Sequence, residues 1–498
     1  MTTTHSKVLS GAMLMIALRL AVKSMGMVST IILARLLLPE DFGLIALVMS
    51  VYALLELINA FGFDVVLIQN QQATEEHYNT SWTLKIIFGF LACLMMLFAA
   101  SPLADFYQDV RVEHLAYCLS GMFVINGLCN IGTVNFRKEL NFKREFHFEF
   151  LVKLLAVTFT LIAAYLLRNY WALALGMLFN TVIRLLLSYT MSTYRPTFCL
   201  SKCKELYSFS SWLLLNNVLT YLNMKSKDLI IGKMAGVQYV GHYSIGDEFA
   251  NLPSTEFVAS VNRATFPGYA RVAHDRAELR ALYLSVLSSI AMVGIPSSFG
   301  LALISPYFVP VILGENWLTT IPILHLLALA SALICVNTNV GYVFMAIGKP
   351  KYTTGLLALR VTILLSLMVL FIGSSGYMGA AYAVLITSLL MFPLFTWAIC
   401  RCLKLSLWDY LNVLLRPLVS AMVMYAGSSL IFFSSLIVPT ETPSFLPTLW
   451  DLMQLTAAGL SIYIATHFLL WTIQGRPPGP EKYLVDKLSH SIRTRTAS

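Results

Sequence analysis

Charge is scarce in this sequence: Asp, Glu, Lys and Arg make up only 12% of its 498 residues, where a soluble domain carries about 25%. With 58% hydrophobic residues and a mean hydropathy of +0.73, a water-soluble globular chain is excluded. Cysteine is equally sparse. Its eight copies are scattered, and no second ligand cluster gives them zinc spacing. Cys93, Cys118, Cys129 and Cys335 fall in apolar stretches and read as small buried hydrophobes. Cys199 and Cys203 share a basic loop, and Cys400 and Cys402 end a span. No G-x-x-x-x-G-K-[ST] phosphate loop occurs, so ATP hydrolysis by this chain is not expected. The first apolar stretch carries Arg19 and Lys23 and lacks an A-x-A cleavage site, so it reads as a first span rather than a removable leader. The net charge of +9 does not call for nucleic acid. It is the excess expected of loops beside anionic headgroups.

What is abundant is apolar sequence in span-sized pieces. A transmembrane helix needs about 20 such residues. Fourteen stretches qualify: 11–33, 42–67, 81–100, 113–134, 148–167, 171–192, 209–231, 241–266, 281–304, 320–346, 353–373, 377–400, 411–436 and 447–473. Twenty of the 34 Lys and Arg residues fall in the tails and alternate gaps, and only four (Arg35, Arg111, Arg168 and Lys233) in the others. Basic loops stay cytoplasmic, so both termini are expected in the cytoplasm. One cytoplasmic gap departs from the pattern: 68–80 holds Glu75 and Glu76 and no basic residue. The external gaps, longest at 305–319 and 437–446, have no room for a domain and no His/Asp/Glu cluster, which argues against a membrane-embedded polymerase or ligase. Beyond Gly475, Pro477, Pro478 and Pro480 the tail reads as solvated, with a short helix at 481–491.

A faint internal repeat is present. Ile31-Ile32-Leu33-Ala34-Arg35 is followed eight residues later by Gly43, and Leu229-Ile230-Ile231-Gly232-Lys233 eight residues later by Gly241. The offset of 198 residues spans an even number of helices, so the copies share an orientation, as in several secondary transporters.

The phrase Ile31-Ile32-Leu33-Ala34-Arg35-Leu36-Leu37-Leu38-Pro39-Glu40-Asp41-Phe42-Gly43 resembles the signature that follows the first helix of Wzx-type bacterial polysaccharide flippases. Two further stretches resemble the same family: Gly241-His242-Tyr243-Ser244 with Pro253 and Phe266-Pro267, and Gly314-Glu315-Asn316-Trp317 with Ile321-Pro322 and Gly348-Lys349-Pro350. The texture is nearest the colanic-acid exporter branch. These proteins belong to the multidrug/oligosaccharidyl-lipid/polysaccharide superfamily. The resemblance implies an all-α membrane fold: an N-lobe of six helices (1–195), a C-lobe of six (196–405), two extra helices (406–474) and a cytoplasmic tail (475–498). It also implies alternating access and a polyprenyl-diphosphate-linked oligosaccharide as cargo, moved across the bacterial inner membrane. Pathway glycosyltransferases and a polymerase are the implied partners. No cofactor is implied, and proton or sodium coupling stays open. The rival reading is an ion-coupled drug or organic-cation antiporter of the same superfamily, which would favour an acidic, aromatic cavity.

The signature has a structural reading of its own. Arg35 suits a helix C-terminus, Pro39 marks the turn, Glu40 and Asp41 suit the next helix N-terminus with Asp41 as N-cap, and Gly43 allows close packing.

Candidate functional residues are therefore the ionisable groups deep in spans, which are costly in lipid and face protein or a cavity. Arg19 and Lys23 share one face of the first helix, a cationic patch suited to a diphosphate. Arg263, Arg184 and Arg360 are further cationic candidates, and the resemblance favours an arginine on helix 8. Glu56, Glu256, Asp247, Asp228 and Lys225 are candidates for proton coupling or ion pairing. Glu248 and Lys227 accompany them, and Asp64 is weaker. Snorkelling is the competing explanation, strongest for Arg19, and is the expected role of Lys85, Lys153 and Arg416. Asn216, Asn217, Asn223, Asn337 and Asn339 suit either sugar hydroxyls or helix–helix bonds.

Overall fold

The computed structural model describes residues 2–57, 66–68, 70, 72–139, 141–203, 211–431, 445–477, 479–483 and 485–487, with side chains from residue 18 and, after 203, from 215. The described backbone is helical almost throughout. The chain divides into two compact units, Met1–Gly241 and His242–Ser498.

The first unit contains α1 (Thr2–Leu36), α2 (Pro39–Glu56), α3 (Glu75–Tyr107), α4 (Val110–Leu128), the short α5 (Asn135–Lys138), α6 (Phe142–Leu167), α7 (Trp171–Met191) and α8 (Ser211–Met234). The boundary falls within α9 (Val237–Ala250). The second unit continues with α10 (Ala259–Arg271), α11 (Arg276–Phe308), α12 (Thr320–Ala346), α13 (Pro350–Ser375), α14 (Met378–Leu403), α15 (Leu407–Ile431) and α16 (Phe445–Ile473). Among the described residues nine helices are long and apolar enough to cross a membrane, and the pair Val110–Leu128 and Ile131–Lys138, bent by 66°, makes a tenth if taken as one span. The other four expected stretches lie in α1, α2, α8 and α9–α10. These helices carry most of the candidate charges. Asp64, the loop around 437–444 and the tail beyond 487 lie outside the described residues.

Small residues set the close contacts, as expected where lipid supplies no hydrophobic drive between helices. A Cβ on Gly127 of α4 would stand 2.8 Å from the Lys85 carbonyl oxygen of α3, and one on Gly89 of α3 would collide with the Phe123 carbonyl oxygen. Ala92, Met96 and Ala100, spaced four apart on α3, join Leu115, Leu119 and Phe123 of α4 in the first core. In the second unit Tyr283, Leu287, Ile290, Val336, Phe344 and Tyr410 form the core. There Tyr269 donates to Asn339 Oδ1 at 3.1 Å, so Asn339 joins helices.

Four local readings change. Asp41 is not the N-cap of α2: Leu38 holds that position, and its N–H donates to Asp41 Oδ2 at 2.9 Å. The expected span 113–134 ends early. Asn130 breaks it by accepting from the Gly132 N–H at 2.8 Å and donating to the Tyr194 carbonyl at 2.7 Å. The expected span 241–266 is interrupted by a π-helical turn, Pro253–Val258; Pro253 lacks an N–H, and the helix widens there. The tail is also not simply solvated. Arg416 donates to Glu481 Oε1 at 2.7 Å, and His467 Nε2 lies 3.2 Å from the same oxygen. Glu481 and His467 are each 1% exposed, so Arg416 is a buried partner rather than a snorkeller.

Candidate functional site

The candidate charges fall into separate groups. On α1, Lys23 is half-buried and Arg19 exposed. One turn beyond Lys23, the missing side chain of Gly26 makes room for Lys153 of α6: a Cβ on Gly26 would lie 3.7 Å from its Nζ. Lys153 is therefore not a free-standing snorkeller at a span end. Its ammonium lies against α1 at Gly26, one turn from Lys23. Sequence spacing alone gave no sign of this pairing, because it depends on α1 lying against α6.

Arg184 of α7 already has a carboxylate. It makes a two-pronged contact with Glu149 of α6, Nη1 to Oε1 at 2.9 Å and Nη2 to Oε2 at 2.8 Å. Its guanidinium also covers the Phe148 ring at 5.4 Å. This fork–fork geometry fixes both side chains. Glu149, four residues before Lys153 on the same helix, is the partner that the sequence reading missed.

On α8, Lys225 and Asp228 pair one turn apart at 3.6 Å. Asp228 is 6% exposed and accepts a hydrogen bond from Ser50 of α2 at 3.0 Å. Tyr221 of α8 donates to the Ser50 carbonyl at 3.1 Å. Ser50 thus ties α8 to α2 by two bonds. Glu56, at the end of α2, has an exposed side chain. Tyr52, one turn before it, stacks on Phe123 at 4.0 Å and receives a bond from Asn126 at 3.1 Å.

In the second unit Glu256 lies inside the π-helical turn. Its carbonyl accepts from Ser260 Oγ at 2.6 Å, and Ser260 Oγ in turn accepts from Arg263 at 3.3 Å. Arg263 is exposed. Asp247 of α9 acts electrostatically on Arg360 of α13, and Arg360 Nε is buried with no hydrogen-bond partner among the described residues. Two of the sequence motifs also meet here. His242 Nδ1 lies 2.9 Å from Thr320 Oγ1, and its ring stands edge-on to Trp317 at 5.6 Å. No group of three metal-ligating side chains occurs among the described residues.

A family model described as "Polysaccharide biosynthesis protein" matches residues 32–322, which take in the signature from Ile32 onward and the motifs at His242 and Trp317. The resemblance read from those motifs is borne out. The chain is similar to the "Lipopolysaccharide biosynthesis protein WzxC" of Escherichia coli (strain K12), 27% identical over 350 residues, covering 69% of this chain and 70% of that one. It is similar to the "Teichuronic acid biosynthesis protein TuaB" of Bacillus subtilis (strain 168), 24% identical over 371 residues, 73% of this chain and 76% of that one. Among solved structures it shares the fold of "Lipid II flippase MurJ, inward closed conformation", with a TM-score of 0.74 at 14% identity over 93% of this chain and 100% of that one.

Proposed function

The chain belongs to the polysaccharide biosynthesis protein family, and we propose that it flips a polyprenyl-diphosphate-linked oligosaccharide across the bacterial inner membrane by alternating access. The product would supply exopolysaccharide, capsule or lipopolysaccharide synthesis. The observation that carries this reading is the cationic face of α1: Arg19 and Lys23 on one helix, with Lys153 brought alongside at Gly26. Such charges are costly in a membrane and suit the concentrated negative charge of a diphosphate. Arg263, Arg360 and Arg184 are further cationic candidates for such a headgroup. Glu56, Glu256, Asp247 and the Asp228–Lys225 pair are the sites of proton or sodium coupling or of the ion-pair exchange between states. The names of the similar proteins, a lipopolysaccharide biosynthesis protein and a lipid II flippase, support the cargo class.

The proposed architecture has fourteen spans in two six-helix lobes plus two further helices, with both termini cytoplasmic. Pathway glycosyltransferases deliver the cargo, and a polymerase receives it. The test is reconstitution of the chain in vesicles with the lipid-linked oligosaccharide, with and without an imposed proton or sodium gradient. Gradient-stimulated crossing of the lipid is the expected result. Efflux of organic cations without lipid crossing would instead assign the chain to drug antiport.

A further inference from the structure

The acidic gap at 68–80, which stood out against its basic neighbours, acquires a role in the structure. The N-terminal turns of α3 and the segment after α7 enclose an open polar cleft of about 400 Å³, lined by Glu75, Asn79, Asn135, Thr193, Tyr194, Arg195 and Thr197. Its lining is almost free of apolar side chains, which excludes a lipid tail as its occupant.

The two carboxamides in this cleft are oriented by bonds to their oxygens. Asn79 Oδ1 accepts from the Thr197 N–H at 2.9 Å and from the Tyr194 hydroxyl at 2.7 Å. A backbone N–H only donates, so the amide orientation follows from the network. Asn135 Oδ1 accepts from the Tyr78 hydroxyl at 2.6 Å. That hydroxyl receives Lys138 Nζ at 3.4 Å, which leaves its proton for Asn135. Both oxygens are therefore occupied, and both Nδ2 groups keep two donors each without a partner among the described residues. Arg195 is anchored by one nitrogen, Nη1, to the Ser192 and Tyr194 carbonyls at 2.7 and 2.9 Å. Its guanidinium covers the Tyr189 ring at 5.9 Å, its other N–H groups donate to no hydrogen-bond partner among the described residues, and Glu75 supplies an exposed carboxylate as acceptor.

Fixed amide donors, a guanidinium, a carboxylate and two threonine hydroxyls make a set of directional donors and acceptors on a wet surface. That is the chemistry of a polyhydroxylated ligand. We infer that this cleft binds sugar residues of the lipid-linked repeat on the cytoplasmic side, apart from the cationic face that takes the diphosphate. The inference rests on the flippase reading above. It places the choice among sugars partly in residues 75–79, 135 and 193–197, at the loading face.

The test uses full-length protein in nanodiscs and two probes: the native lipid-linked repeat extracted from the source bacterium, and the same polyprenyl diphosphate stripped of its sugars. The Asn79→Asp/Asn135→Asp variant keeps the oxygens that Thr197, Tyr194 and Tyr78 hold and removes both amide donors. It is expected to bind the sugar-bearing lipid about ten- to fiftyfold more weakly, from the loss of two hydrogen bonds with their partners left unpaired, and the bare lipid as wild type does. Unchanged binding of the bare lipid also shows that the variant is folded. Glu75→Gln, at an exposed position, is expected to weaken only the sugar-bearing lipid. It removes a negative charge, so a merely electrostatic effect on an anionic lipid would run the other way. Equal loss for both probes, or loss for neither, overturns the inference while leaving the flippase reading intact. Failure of wild type to bind either probe overturns both.

Discussion

Gly43 and Gly241 lie backbone to backbone, and the contact is reciprocal. A Cβ on Gly43 would collide with the Val237 carbonyl oxygen and stand 3.0 Å from Gly241 N; a Cβ on Gly241 would collide with the Pro39 carbonyl oxygen and stand 3.0 Å from Gly43 N. Residues 39 and 237 are separated by the same 198 positions as 43 and 241. The repeat seen in the sequence thus meets itself in space, with the first turns of α2 and α9 in direct contact.

This closeness makes a stability prediction. Gly43→Ala and Gly241→Ala force a backbone apart and are each expected to cost about 1–3 kcal/mol or more. Gly121→Ala is the control, since a Cβ there meets nothing within 4 Å. Thermal unfolding in detergent should show both repeat variants melting well below wild type and Gly121→Ala at or above it. A Gly43→Ala protein as stable as wild type would contradict the contact.

The tail ion pair predicts both a mutational and a pH effect. Arg416→Met leaves Glu481 buried beside His467 alone and is expected to cost about 3–5 kcal/mol. Burial raises the Glu481 carboxyl, but the His467 bond, its own backbone bond and the Arg416 charge outweigh it and hold the group below its ordinary value of 4.5. A depressed carboxyl contributes stability that is full above the unfolded value and is lost as pH falls through the folded one. The melting difference between wild type and Glu481→Gln should therefore be constant from neutral pH down to about 5 and shrink below 4.5. A difference that stays unchanged into strong acid would contradict the assignment.

Asp228 joins α8 to α2 through Ser50 and pairs with Lys225 on its own helix. Asp228→Asn keeps the shape and loses the charge, so it weakens both bonds. A loss of about 1–3 kcal/mol is expected, read as a lower melting temperature, and Ser50→Ala should lose less when added to Asp228→Asn than alone. Full additivity of the two would show that they do not interact.

Much of this was legible in sequence, for identifiable reasons. The spans that became α3, α6, α7 and α11–α16 are continuous apolar runs, which composition reveals directly. The glycines of the repeat could be paired because the segments around them share a pattern. What escaped the sequence was long-range partnership. Nothing near Arg184 points to Glu149, 35 residues away on another helix. Nothing in a Gly/Pro-rich tail shows that Glu481 returns to Arg416, 65 residues back. Lys153 has the sequence position of a span-end lysine, and only the packing of α6 beside Gly26 sets it against α1. The bend at Asn130 was hidden because the residue sits among apolar neighbours and its partners, Ser188 and Tyr194, come from beyond two later helices.

The cationic face of α1 is the centre of the functional account, and leaflet crossing tests it most directly. Wild type, Lys23→Ala and Lys153→Ala should be reconstituted side by side, with insertion confirmed for each, and the crossing of the lipid-linked oligosaccharide timed. Crossing by wild type and a rate at least about tenfold lower in Lys23→Ala, with a smaller loss in Lys153→Ala, is the predicted result. Wild-type rates in a correctly inserted Lys23→Ala protein would contradict it.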